Sequence, residues 1–414
     1  MKISLFSVSV LVTLFIIFCA SSPQTSIVRT GLDRIGEYHS LFKGKKIGII
    51  TNHTAYDYKD NHIIDIFLNL DDVKIIALFG PEHGIHGSKA NGAMVEDQID
   101  NKTNIPIYSL YGKVLKPTPG MLKEIDVLVF DIQDIGARFY TYIYTMSLAM
   151  EAAAENNIKY VVLDRPNPIN GILVEGNILE PNYASFVGMY PIPVRHGMTV
   201  GELAKMFNEE NWLQNQVKAE LTVIPMKGWA REFWYDQTGL KWRSPSPNMP
   251  NLDVATVYPG TCLFEGTNIS EGRGTYRPFL QIGAPWLNAG DFEAINNTIN
   301  MPGVHFDPVT FTPESIPSMS PNPKHSGNKL SGVSITVEDR NIYPAYLTGI
   351  ALVKYFYDLN PDEFEWRTSH FDRLCGSDKI RNFIEQRKTI MEIEEWINHN
   401  MQQFLELRSR YLLY

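Results

Sequence analysis

Apolar runs alternate along the chain with stretches of helical spacing, and nearly every run ends in a polar loop bearing glycine or proline. Lys46–Asn52 reads as a first strand that opens into the loop Asn52-His53-Thr54. Asn61–Leu70 carries Ile63, Ile64, Ile66, Phe67 and Leu70 at the spacing of one helical face. Val73–Leu78 is a mostly apolar run of strand length, and Ile105–Leu110 is a further strand entered through Pro106, which a first strand position tolerates. Ile125–Phe130 has the character of a buried central strand, and a long helix follows from about Thr141 to Glu155. Tyr160–Leu163 is the next strand. Strands separated by helices at this spacing predict βαβ units, a mainly parallel sheet and right-handed connections, hence an α/β fold.

From Gly171 the rhythm changes to a proline- and glycine-rich passage. Thr199 is placed to cap a helix from Val200 to about Glu210, and Leu221–Met226 reads as a strand. Ser244–Pro250 is a loop stiffened by three prolines. Val333–Val337 as a strand, with helices near 345–357 and 378–410, predicts a smaller α/β domain. The expected division is therefore 27–200 and 201–414, with the boundary falling somewhere near 185–215.

At 414 residues, 44% hydrophobic and 20% charged, the chain can bury a large core, and its length suits two domains. A net charge of −9 argues against general nucleic-acid binding. Residues 1–22 differ in kind: Met1-Lys2, an apolar stretch to Phe18, then Cys19-Ala20-Ser21-Ser22. That pattern reads as an export signal, with Cys19 either a lipid-accepting cysteine or part of an ordinary cleavage region. The protein is thus expected to be secreted, periplasmic or lipid-anchored to a bacterial envelope, touching the membrane only through such an anchor. Cys262 and Cys375 have no zinc-type spacing and are either paired or free.

The segment Phe79-Gly80-Pro81-Glu82-His83-Gly84-Ile85-His86 concentrates chemistry directly after a strand. Ligands in open parallel sheets bind beyond the carboxyl ends of the strands. A carboxylic acid in a partly enclosed loop there can act as a general acid, which singles out Glu82; the structural alternative is a loop-stabilising carboxylate. Two further strand exits carry acids beside Arg, Asn or Gln: Asp131-Ile132-Gln133-Asp134 with Arg138, and Asp164-Arg165-Pro166-Asn167. Asp131, Gln133, Asp134 and Arg138 suit a polyhydroxylated substrate, or equally an internal Asp–Arg ion pair. Tyr140 and Tyr142 lie early enough in their helix to line a sugar cleft. His83 and His86 have metal-like spacing, with Asp131, Asp134 or His196 as a third ligand, but a loop setting favours hydrogen-bonding roles and no metal is expected. Gly272-Arg273-Gly274 lets amides and a guanidinium approach an anion. The loop lacks a P-loop lysine and no GxGxxG follows a strand, so no nucleotide cofactor is expected.

The motifs at 79–84, 130–142 and 164–168 resemble the NamZ-type exo-β-N-acetylmuramidases, glycoside hydrolase family 171. Arg195-His196-Gly197-Met198-Thr199, Ser246-Pro247-Asn248-Met249-Pro250 and Glu265 through Thr275 resemble that family as well. The likeness implies a Rossmann-like domain joined to a smaller α/β domain, with the active site between them. It also implies cofactor-free release of N-acetylmuramic acid from non-reducing ends of peptidoglycan fragments, and it puts the family's proposed catalytic glutamate on Glu82.

The resulting expectation is a glycosidase in which Glu82 protonates the leaving oxygen. Asp131, Asp134 or Glu271 would activate water or stabilise the transition state. Arg273, together with Arg138, would hold the lactyl carboxylate. His83, His86, Gln133, Tyr140, Asp164, Arg165, Asn167, His196, Asn248 and Asn268 complete the expected substrate contacts. The competing readings are a non-catalytic murein-binding lipoprotein and a metal-dependent hydrolase using His83 and His86. Stereochemistry, glycan length and oligomeric state are not legible.

Overall fold

The structure is a computed structural model that describes residues 27–87 and 97–414. The expected signal segment with Cys19 lies outside the described residues. Strands form at the apolar runs: β1 (Lys46–Thr51), β2 (Lys74–Gly80), β3 (Gln98–Ile99), β4 (Pro106–Ser109), β5 (Val127–Asp131), β6 (Lys159–Leu163) and β7 (Leu221–Ile224). Among the described residues they make one seven-stranded sheet in the order β3-β4-β2-β1-β5-β6-β7. Every pairing is parallel except that of β3 with β4. β7 lies past position 200, so the large sheet draws on residues beyond the division expected from the change of rhythm. Helix α1 (Ile63–Leu68) is shorter than its apolar spacing suggests, whereas α2 (Tyr142–Glu155) and α3 (Val200–Glu209) match their expected spans closely. Thr199 caps α3 through a reciprocal pair with Glu202.

The remainder builds a second, smaller layer. α4 (Leu252–Thr261) packs beside α6 (Ala345–Leu359), with the short α5 (Ile295–Ile299) between them in sequence. β8 (Gln281–Ala284), β9 (Val304–Phe311) and β10 (Leu330–Val337) form an antiparallel sheet in the order β8-β10-β9. α7 (Thr368–Cys375) follows, and the helix expected across 378–410 is broken into α8 (Lys379–Glu385), α9 (Ile390–Asn398) and α10 (Met401–Ser409). The break has a local cause: Thr389 caps α9 with Glu392, starting a new helix in mid-segment.

A core cluster runs from Phe79 and Phe130 of the large sheet through α2 and α4 to Phe356 and Leu374, so both layers share continuous apolar packing. Among the described residues no helix is long and apolar enough to cross a membrane. Cys262 and Cys375 are free, buried thiols.

Candidate active site

β2 ends at Gly80, and Pro81 opens a tight turn that closes with the Gly84 amide donating to the Pro81 carbonyl at 2.9 Å. His83 and Gly84 both adopt positive φ, at 69° and 72°, a conformation that glycine takes freely and histidine takes at some cost. Ile85 is buried and anchors the far side of the turn. The loop thereby holds Glu82 and His83 inward, 8% and 4% exposed. Thr141, the residue that precedes α2, donates its hydroxyl to Glu82 Oε2 at 3.0 Å.

Glu82 and His83 line an enclosed cavity of about 200 Å³. Tyr111 enters from beyond β4, and Phe139, Tyr140, Thr141 and Tyr142 from the start of α2. Ser246, Asn248 and Met249 come from the proline-rich loop, Tyr258 from α4, and His370 and Leu374 from α7. Glu265 and Arg273 supply opposite charges to the same cavity. The site therefore lies between the two layers.

Its electrostatics are set by one ion pair. Arg273 Nη2 lies 2.5 Å from Glu265 Oε1, with Nε at 3.2 Å, and Glu271 sits 3.4 Å from Nε on the outer side. Burial alone would raise the Glu265 carboxyl, but Arg273, reinforced by His370, brings it down to about 2. Burial and the nearby Glu82 charge push the Tyr111 phenol up, which keeps it a neutral hydrogen-bonding group. Two polar atoms in the wall lack a well-aligned hydrogen bond among the described residues: the Tyr140 hydroxyl and Asn248 Oδ1. Asn248 Nδ2 donates to the Met319 carbonyl at 2.7 Å, which turns Oδ1 into the available acceptor. Buried polar atoms are normally paired, so an amide acceptor left open in a cavity wall suits a polar ligand.

Of the residues expected at the site, the structure brings together Glu82, His83, Tyr140, Asn248 and Arg273. Others have structural roles, and these are corrections. Asp131 forms a fully buried ion pair with Arg165, whose Nη2 donates to Asp131 Oδ2 at 2.8 Å. Asp134 accepts from the Gly136 amide at 2.7 Å and is sealed beside His196; burial pushes Asp134 up to about 7 and His196 down to about 3. Asp164 accepts from Thr199 and the Gly201 amide at the start of α3 and from the Tyr414 hydroxyl. Gln133 bonds the carbonyls of Asp134 and Pro166, and Asn167 that of Met198. Among the described residues Arg138 has no carboxylate partner: Nη1 donates to the carbonyls of Asn177 and Ile192, and Nη2 to those of Leu374 and Cys375. It is therefore not available as a lactyl clamp.

Glu271 pairs with Lys324 at 2.9 Å behind Arg273, and Asn268 is spent on the backbone of Glu363 and Glu365. His86 is exposed beyond the turn. Among the described residues no group of three His, Cys, Asp or Glu side chains is placed to hold a metal ion. Glu265, His370, Tyr111 and Tyr258 are site residues that sequence reasoning misses. Glu265 opens the motif that contains Arg273, and that adjacency is the one available signal.

Residues 47–253 match the N-terminal domain of the exo-β-N-acetylmuramidase NamZ, and residues 256–414 match its C-terminal domain. The chain is 48% identical, over 94% of its length and 91% of the relative's, to the peptidoglycan β-N-acetylmuramidase NamZ of Bacillus subtilis. Two crystal structures of DUF1343 family proteins from Bacteroides fragilis superpose with TM-scores of 0.86 and 0.77. They are 38% and 37% identical, covering 94% of this chain and 99% of each of theirs. With both halves matched in order and the cavity formed where they meet, this chain belongs to the NamZ exo-β-N-acetylmuramidase family.

Proposed function

We propose that this protein is a glycoside hydrolase that releases N-acetylmuramic acid from the non-reducing end of peptidoglycan fragments, and that the reaction takes place in the Glu82 cavity. The observation that carries the assignment of the site is Glu82 itself. It is a buried carboxyl group that accepts from Thr141 and shares one cavity with a second carboxylate, Glu265, which Arg273 holds low.

In this reading Glu82 gives its proton to the leaving glycosidic oxygen. Glu265, kept ionised by Arg273 and His370, supplies fixed negative charge as the sugar ring gains oxocarbenium character. Nη1 of Arg273 has no hydrogen bond among the described residues, while Nε and Nη2 are committed to Glu265, so one edge of the guanidinium is left for the lactyl carboxylate. Asn248 Oδ1 and the Tyr140 hydroxyl take substrate polar groups. Export by the N-terminal segment, with or without lipid on Cys19, puts the enzyme where its substrate is.

Incubation with a disaccharide carrying muramic acid at its non-reducing end tests the function, and free N-acetylmuramic acid is the expected product. Glu82→Gln should lose activity by at least about a hundredfold, the lower end for a positioned general acid. A Gln variant of undiminished turnover overturns the assignment of Glu82, and a wild type that binds without cleaving overturns the enzyme reading.

A further inference from the structure

The loop after β1 and the Asp164–Pro168 motif take no part in the Glu82 cavity, yet together they wall a second one. It measures about 270 Å³ and is lined by Thr54, Tyr56, Asp60, Arg165, Tyr235 and Arg243 among others. It sits over the exits of β1 and β6, beside the point where the strand order reverses between β1 and β5, the usual ligand position in this architecture.

Arg165 is 4% exposed. Its Nε and Nη2 are fixed by Asp131, and Nη2 also donates to the Tyr56 carbonyl at 3.2 Å. Nη1 has no hydrogen bond among the described residues. Opposite it, Arg243 lies over the Tyr56 ring, 3.5 Å from its centroid, and meets Asp60 at 2.5 Å. Lys241 and Lys59 add positive charge to the wall. Asp60 is shared between Arg243 and Lys241, while Asp57 is consumed by its own turn, accepting from the Lys59 and Asn61 amides. Four cations thus line the cavity with two carboxylates, while Asp131 and Asp33 act on Arg165 from behind, in a chain whose net charge is −9. A preorganised guanidinium whose Nη1 alone is open, with a second guanidinium and tyrosine rings in the same wall, suits a single charge-assisted contact to a carboxylate carried on a sugar.

A depression adjoins the second cavity and draws on the loops that line the first. Arg243 also borders a shallow depression formed with His53, Gly87, Trp242, Ser244 and Pro247. Gly87 belongs to the loop that carries Glu82, and Pro247 to the loop whose Ser246 and Asn248 line the Glu82 cavity. His53, from the loop after β1, meets the Ser244 carbonyl of the proline-rich loop in a 2.7 Å hydrogen bond.

We propose that the Arg165–Arg243 cavity is a second, anion-selective subsite. It takes the carboxylate of a muramic unit farther along the strand being cleaved, with the depression over Trp242 and Pro247 carrying the sugars between. This rests on the catalytic reading above.

The test compares two tetrasaccharides with muramic acid at the non-reducing end, one bearing a free carboxylate on the internal muramic unit and one bearing its methyl ester. Wild type should cleave the free acid about tenfold better, the scale of one charge-assisted hydrogen bond. Arg243→Gln and, separately, Lys241→Gln should erase or reduce that ratio. A wild-type ratio of one, or a ratio unchanged in both variants, overturns the proposal. Calorimetric titration with free N-acetylmuramic acid examines the other source of the same chemistry. A second bound equivalent that Arg243→Gln loses would mean that a separate molecule fills the cavity, overturning the strand assignment. Cleavage of the simple disaccharide is scored independently: its absence defeats the catalytic reading, while the titration still decides whether this cavity binds a carboxylate.

Discussion

The Thr141 hydroxyl donates to Glu82 Oε2 across 3.0 Å, linking the exit of β2 to the start of α2. The bond sets which way a carboxyl on a short loop points. Thr141→Val keeps the shape of the side chain and removes the donor. It should lower kcat/KM by about tenfold, the scale of one hydrogen bond worth about 1.4 kcal/mol. Steady-state kinetics beside a thermal melt checks this: an unchanged rate would mean that Glu82 is oriented by its other neighbours.

Arg273 should discriminate muramic from glucosamine substrates. Removing it alone would strand the buried Glu265 charge, so the informative variant is Arg273→Leu in a Glu265→Gln background. Relative to Glu265→Gln alone, the double variant should lose at least about tenfold in kcat/KM on muramic substrates and little on glucosamine ones, as expected for one charge-assisted contact. Equal losses on both would remove the lactyl role.

The sealed pair of Asp134 and His196 predicts a pH dependence of stability. Asp134 titrates near 7 when folded, above its ordinary value of 3.8, so its contribution is complete at low pH and is lost as pH rises through that interval. His196 is depressed to about 3 from 6.5, so its contribution is present above 6.5 and lost as pH falls toward 3. Asp134→Asn removes the first effect only. Denaturant unfolding should show the variant gaining on wild type between about pH 4 and 7, whereas parallel curves would contradict the burial argument.

Replacing Arg138 by Gln should cost about 3 kcal/mol or more, because it leaves several buried carbonyls without a donor. Urea unfolding measures the loss. Arg138 does not line the cavity, so any rise in KM should come together with that loss of stability. A raised KM at unchanged stability would return it to the substrate.

The parallel sheet is legible in the sequence because strands covered on both faces read as unbroken apolar runs. Glu82 is legible because a strand, two glycines and a proline frame it. Less of the site can be read. Asp131, Asp134 and Asp164 do lie at or beyond strand exits, but an exit position does not say whether a side chain enters the cleft or turns back on an arginine, an amide or a helix start. Arg138 looks like an anion binder because its motif is polar, although its partners, the carbonyls of Leu374 and Cys375, lie more than two hundred positions away. His370 belongs to a helix with no motif around it, so only its approach to Glu265 in the folded chain reveals it.

The grip of Arg138 on the end of α7 also bears on how the enzyme meets a polymer. The helix so held carries His370 and Leu374, while the same guanidinium springs from the connection that leads to Thr141. Two walls of the cavity are thereby tied to one another through a single side chain that itself stays outside it. A glycan end bound there meets surfaces whose spacing is set from behind the site.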